Sequence, residues 1–131
     1  MICGVGIDIV EVSRIAGIIG KWGGRFVKRV FSPGEIAYCE KYAQPAMHYA
    51  VRFAAKESFL KSMGLGLGMG LHLTDIAIAT DQRGKPEIRL TGTAAAMLSA
   101  LGKVSVHVSL SHTRENATAM VILEKAEVAS G

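Results

Sequence analysis

The first ten residues place the strongest constraint on the fold. From Met1 to Val10 the chain alternates, with Cys3, Val5, Ile7 and Ile9 on one side and Gly4, Gly6 and Asp8 on the other, the period-two signature of a β-strand. This pattern assigns the apolar side to the core and leaves a glycine floor that ends in a carboxylate. Glycine inside a strand weakens it and marks close approach of a ligand or another backbone, so Asp8 stands where something can lie flat against the strand. An aspartate at a strand end can equally cap the segment that follows. The residues by themselves leave both roles open.

The rest of the chain supplies partners for this strand as a mixture of helices and hairpins. Glu11 to Trp22 reads as an amphipathic helix with Val12, Ile15, Ile18 and Ile19 inward, broken or kinked at Gly23-Gly24. Ser32-Pro33-Gly34-Glu35 spells a helix start, with Ser32 as N-cap and Glu35 closing a capping box, and a short helix to about Tyr42. After Gln44-Pro45 a long helix is predicted from about Ala46 to Met63, packed through Val51, Ala55, Ser58 and Phe59. Leu73 to Thr80 and Pro86 to Thr91 form a hairpin about Asp81-Gln82-Arg83-Gly84, and Gly92 to Leu101 is an Ala-rich helix. Val104 to Ser111 alternates as a strand that turns at His112-Thr113-Arg114-Glu115 into a last strand, Ala117 to Leu123. The expectation is an α+β fold in one domain over residues 1–131, ending in a short polar tail from about 126: a small antiparallel sheet packed against a long helix. With 131 residues, half of them hydrophobic, such a core closes without crosslinks.

Charge and composition narrow the function classes. Fifteen Lys and Arg against 11 Asp and Glu leave a formal charge of +4, which suits an acidic partner. No basic run interleaves with aromatics, so nucleic acid is not the expected partner. The apolar N-terminal stretch lacks a basic lead-in and nothing reaches spanning length, so neither a signal peptide nor membrane insertion is expected. Cys3 and Cys39 make neither a metal-ligand spacing nor a disulfide framework, which points to reduced thiols in a cytoplasm.

Several groups could carry chemistry. In Arg52-Phe53-Ala54-Ala55-Lys56-Glu57-Ser58-Phe59-Leu60-Lys61, helical spacing sets Lys61 one turn beyond Glu57, which on its own describes an ordinary surface ion pair. Arg14, Lys21, Arg25 and Lys28 recur at seven, four and three residues, roughly one side of a helix if the double glycine does not disturb the register. Such a stripe is either a solvated face or a landing surface for an acidic helix. Gly64, Gly66, Gly68 and Gly70 punctuate a loop whose amides could face a phosphate, although without Walker spacing. His112 alone reads as a turn residue and His107 as structural.

Taken together, Gly4-Val5-Gly6-Ile7-Asp8-Ile9-Val10, the Arg52 to Lys61 run closed by Ser62-Met63-Gly64, the Gly84-Lys85-Pro86 turn and Ser109-Leu110-Ser111-His112-Thr113 resemble the holo-acyl-carrier-protein synthases, the short 4′-phosphopantetheinyl transferases. The resemblance covers essentially the whole chain. It implies that Asp8 and Glu57 bind Mg²⁺ together with the diphosphate of coenzyme A, and that Lys61 and Arg52 face phosphate oxygens. It further implies that His112 lies near the ribose phosphate, and that Gly64, Pro86 and Thr113, in the matching motifs, belong to the coenzyme A site. Glu57, directly or through water, is the implied base for a carrier-protein serine, Lys61 assists the leaving phosphate, and adenosine 3′,5′-bisphosphate is released. The basic stripe is implied to receive apo acyl carrier protein, and the family resembles itself in forming homotrimers with coenzyme A at subunit boundaries. Two positions depart from the pattern. Ala43-Gln44-Pro45 stands where relatives often carry basic residues, so part of the ribose-phosphate contact is lost or supplied by Lys41 or His48, and Asn116 replaces an aromatic. The residues alone also admit a non-catalytic module for acidic protein or RNA, or another Mg²⁺-dependent nucleotide enzyme.

Overall fold

In the computed structural model, which describes residues 1–66 and 70–127, the chain runs β1 (Ile2–Glu11), α1 (Val12–Trp22), α2 (Gly24–Val30), α3 (Pro33–Glu40), α4 (Pro45–Ser62), a 3₁₀ turn (Leu73–Asp75), β2 (Ile76–Thr80), β3 (Pro86–Leu90), α5 (Gly92–Ser99), β4 (Val104–His112) and β5 (Asn116–Lys125). Strand β5 is the centre of an antiparallel sheet of order β1-β5-β4, and β2 and β3 pair as a separate hairpin. Gly68 of the glycine loop and residues 128–131 of the tail lie outside the described residues.

The two faces of β1 are the reverse of the expected ones. Val5, Ile7 and Ile9 are 55, 58 and 68% exposed, while helix α4 lies on the glycine side. A Cβ on Gly4 would run into the carbonyl oxygen of Ser62, and one on Gly6 into that of Ser58. The glycine floor is therefore a seat for helix backbone. Alternation identified the strand but not its buried side, because the packing partner here needs absent side chains rather than apolar ones. Ser58 completes the contact, its hydroxyl donating toward the carbonyls of Ala54 (2.8 Å) and Ala119 (2.9 Å).

Helix α4 is the axis of the molecule. The expected packed residues Val51, Ala55, Ser58 and Phe59 are buried, and so are Tyr49, Ala50, Ala54, Leu60 and Lys56 on its other sides, because the sheet covers one flank and α3 with β2 covers another. A helix buried on several sides carries little amphipathic signal. Its least expected core residue is Lys56, fully buried, whose ammonium donates to Glu35 Oε1 (2.7 Å) and to the carbonyls of Leu73 (2.9 Å) and Ile76 (2.6 Å).

Glu35 does two jobs. The Ser32–Glu35 capping box forms as expected, and the same carboxylate also accepts from the amide of Ile78 (3.2 Å). Residues Leu73–Asp75, expected as strand, are a 3₁₀ turn instead, with the Leu73 carbonyl directed at Lys56 rather than into a ladder. Gly23, at φ 57°, ends α1 and starts α2, so the basic stripe is divided between two helices, Arg14 and Lys21 on the first and Arg25 and Lys28 on the second.

Candidate active site

Packing of α4 on the glycine side of β1 brings Asp8, Glu57 and Lys61 to one rim. Lys61 donates to Asp8 Oδ1 (3.0 Å) and to the carbonyl of Ile7 (3.1 Å), so the lysine pairs with the strand aspartate rather than with Glu57 one turn away. The i to i+4 rule names a possible neighbour, but the strand offers Lys61 two oxygens at once. Asp8 is fixed from the other side by Thr118, whose hydroxyl donates to the Asp8 carbonyl at 2.8 Å. Among the described residues the Glu57 carboxylate accepts no hydrogen bond and makes no ion pair. Burial, and then the negative charge of Asp8, hold its carboxyl above the usual carboxylate range, with Lys61 and Arg14 opposing.

The donor set suits a hard divalent cation. Asp8 is close enough to raise the proton affinity of Glu57 while Lys61 is engaged by Asp8, and a small cation such as Mg²⁺ binds through one or two carboxylates plus oxygens from a phosphate ligand and water. No group of three or more His, Cys, Asp or Glu converges among the described residues, so the chain offers half a shell rather than a closed cage.

Arg52 belongs to a second site. It stands nine residues before Lys61 on one helix, roughly 13 Å of rise and half a turn round, so the two do not share one phosphate. Arg52 is only 4% exposed. Its guanidinium lies 4.0 Å from the centre of the Tyr38 ring, Nη1 donates to the His48 carbonyl at 3.3 Å, and Nε is buried without a partner among the described residues. Beside it opens a hollow of about 440 Å³, walled by His48, Arg52, Lys85, Pro86, Leu110 and His112. Sequence reasoning had no signal for Tyr38, which reaches this wall from α3.

The remaining candidates fall as follows. Pro86 and His112 line the hollow. Thr113 shapes the β4–β5 turn, its hydroxyl accepting the amides of Glu115 (3.3 Å) and Asn116 (3.1 Å). Gly64, at φ 73°, follows the end of α4 with open space where a side chain would be. His107 is exposed and pairs with Glu124 at 3.1 Å. Arg14, Lys21, Arg25 and Lys28 are all exposed.

A sequence model of the 4′-phosphopantetheinyl transferase superfamily matches residues 4–120. The chain is 55% identical over 124 residues to the holo-[acyl-carrier-protein] synthase of Syntrophus aciditrophicus (strain SB), spanning 95% of this chain and 97% of that protein. Its fold is similar to that of the holo-[acyl-carrier-protein] synthase from Neisseria meningitidis, with a TM-score of 0.84 at 35% identity over 95% of this chain and 100% of that one. It is also similar to the holo-(acyl-carrier-protein) synthase of Bacillus anthracis str. Ames in complex with CoA (3′,5′-ADP), with a TM-score of 0.79 at 34% identity over 96% of this chain and 99% of that one.

Proposed function

Because the chain belongs to the 4′-phosphopantetheinyl transferase superfamily, we propose that it transfers 4′-phosphopantetheine from coenzyme A to a serine of apo acyl carrier protein, depends on Mg²⁺, and releases adenosine 3′,5′-bisphosphate. One observation carries the reading: Asp8 and Lys61, 53 residues apart in sequence, meet beside Glu57 at 3.0 Å because α4 sits on the glycines of β1.

In this reading Asp8 and Glu57 hold Mg²⁺, which when bound neutralises the diphosphate and draws electron density from the phosphorus under attack. Lys61, half exposed and tethered to Asp8, turns its ammonium to the same diphosphate and steadies the leaving phosphate. Arg52, His112 and Lys85 hold the ribose phosphate in the neighbouring hollow, Pro86 and Leu110 give it an apolar wall, and Gly64 and Thr113 shape the ends of α4 and β4. The serine oxygen forms a bond to the pantetheine-side phosphorus, the bridging bond to the adenosine-side phosphate breaks, and the bisphosphate departs with that electron pair. Glu57, directly or through a metal-bound water, receives the serine proton. The B. anthracis relative in complex with CoA (3′,5′-ADP) supports both the donor and the product.

The exposed basic residues of α1 and α2 suit an acidic helix of the carrier protein, and Arg14 joins that surface to the site through its field on Glu57. Val5, Ile7, Ile9 and Met120 form an exposed apolar strip on the outer side of the sheet, which supports assembly as a homotrimer. Free Cys3 and Cys39 fit a reducing cytoplasm, and no helix among the described residues is long and apolar enough to cross a membrane.

Intact-mass spectrometry tests the activity: an apo carrier protein incubated with coenzyme A and Mg²⁺ gains one phosphopantetheine. No gain with several apo carrier proteins at ample Mg²⁺ would overturn the proposal.

A further inference from the structure

The hollow beside Arg52 is built for an anion. Arg52, Lys85, His48 and His112 line it, no carboxylate is among its lining residues, and Arg52 keeps a buried Nε without a partner among the described residues. Three of these groups have evident reasons to be there, since Arg52 is locked on Tyr38, Lys85 on the hairpin turn, and His112 at the end of β4. His48 is different, because among the described residues its ring is held by aromatics rather than by a hydrogen bond. It stacks on Tyr42, centroids 3.8 Å apart and planes within 23°, and meets the edge of Tyr38 at 6.1 Å. Stacked π faces favour a cationic ring, and the stack fixes which way the imidazole points.

Lys41 is the other cation near this rim. Its ammonium sits 5.0 Å from the centre of the Tyr38 ring and does not line the hollow. The position that can meet a bound anion is therefore His48. With the hollow empty, burial first, then Arg52 and His112, disfavour the imidazolium. Tyr38 from α3 and Tyr42 from the α3–α4 link contact this ring, Arg52 on its own helix, Lys85 from the hairpin and His112 from β4 share the hollow with it, and none is a carboxylate. A phosphomonoester carries about −1.5 to −2 charges near neutrality and reverses that balance on arrival.

We propose that His48, held against Tyr42, is a specificity residue of this chain that recognises the phosphomonoester of the donor beside Arg52 and His112, and takes up a proton as that group binds. The inference rests on coenzyme A being the donor. It assigns to His48 the preference for coenzyme A over dephospho-coenzyme A, which differ by that phosphate alone.

Calorimetric titration of both compounds tests it, with the full-length protein, His48→Gln and His48→Lys, at pH 7.5 in two buffers of different ionisation enthalpy. The expected result is that the wild type prefers coenzyme A and takes up protons on binding it. His48→Gln loses about tenfold of the preference with dephospho-coenzyme A affinity unchanged and fewer protons bound, whereas His48→Lys keeps the preference with the same loss of uptake. Wild-type preference and proton uptake in His48→Gln would overturn the inference and leave the activity standing. No preference in the wild type would also overturn it, and no binding of either compound by the wild type would overturn the donor reading as well.

Discussion

Lys56 and Glu57 are neighbours on one helix, yet the first is buried with three oxygens within 2.9 Å and the second is half buried with no hydrogen-bond donor in contact among the described residues. Burial lowers the proton affinity of Lys56 and Glu35 offsets only part of the fall; burial raises that of Glu57 and Asp8 adds to the rise. A completed polar network ties elements together, here α3, α4, the 3₁₀ turn and β2. An incomplete one costs stability and is kept where a ligand finishes it. The contrast sets a structural residue and a candidate site residue of α4 side by side, one peptide bond apart.

The contrast can be broken at either residue. Asp8→Ala or Glu57→Ala is expected to cut phosphopantetheine transfer by about a thousandfold or more with little change in folding; near-wild-type rates in both would sink the site assignment. Lys56→Met leaves Glu35 buried and unpaired, and urea unfolding should show a loss of about 3–5 kcal/mol. Replacing both partners with apolar residues should recover much of it, and a loss below about 1 kcal/mol for Lys56→Met would remove the distinction drawn here.

Smaller effects sharpen it. Gly6→Ala forces a methyl group against the Ser58 carbonyl and should cost about 1–3 kcal/mol, and it should slow transfer further by moving Asp8 away from Glu57. A Gly6→Ala protein with normal kinetics would show that the close approach does not position the site. The smallest expected change has the opposite sign. The folded-state proton affinity of Glu57 is raised above its ordinary value of 4.5, so the folded chain holds this proton more tightly than the unfolded chain. The associated stability is present below that ordinary value and is lost as pH rises through the folded one. Glu57→Gln should therefore melt a few degrees higher than wild type at pH 7.5 without metal, with the advantage vanishing toward pH 4, while transfer is lost. A lower melting temperature at pH 7.5 would contradict the account.

Much of this was legible in the residues, for identifiable reasons. The Ser32–Glu35 capping box is a local pattern and formed as written. The link from Glu35 to Lys56 was not legible, because it depends on a contact across 21 residues and a buried lysine leaves no periodic trace. The alternation in β1 declared a strand, yet its inward side could not be chosen without knowing that a helix backbone would fill the glycine floor. Lys61 found Asp8 rather than Glu57 for the same reason. The stripe of Arg14, Lys21, Arg25 and Lys28 was visible as spacing, but the positive φ of Gly23 parts it into two helices. The Arg52 hollow joins α3, α4, the hairpin turn and β4, elements no local pattern brings together.

The central claim is that Asp8 and Glu57 are an incomplete pair finished by Mg²⁺ and the donor diphosphate. Coenzyme A affinity measured with and without Mg²⁺ in wild type, Asp8→Asn and Glu57→Gln tests it most directly. The account predicts that Mg²⁺ tightens binding in the wild type and has little effect in either variant; Mg²⁺ tightening of wild-type size in both variants would contradict it.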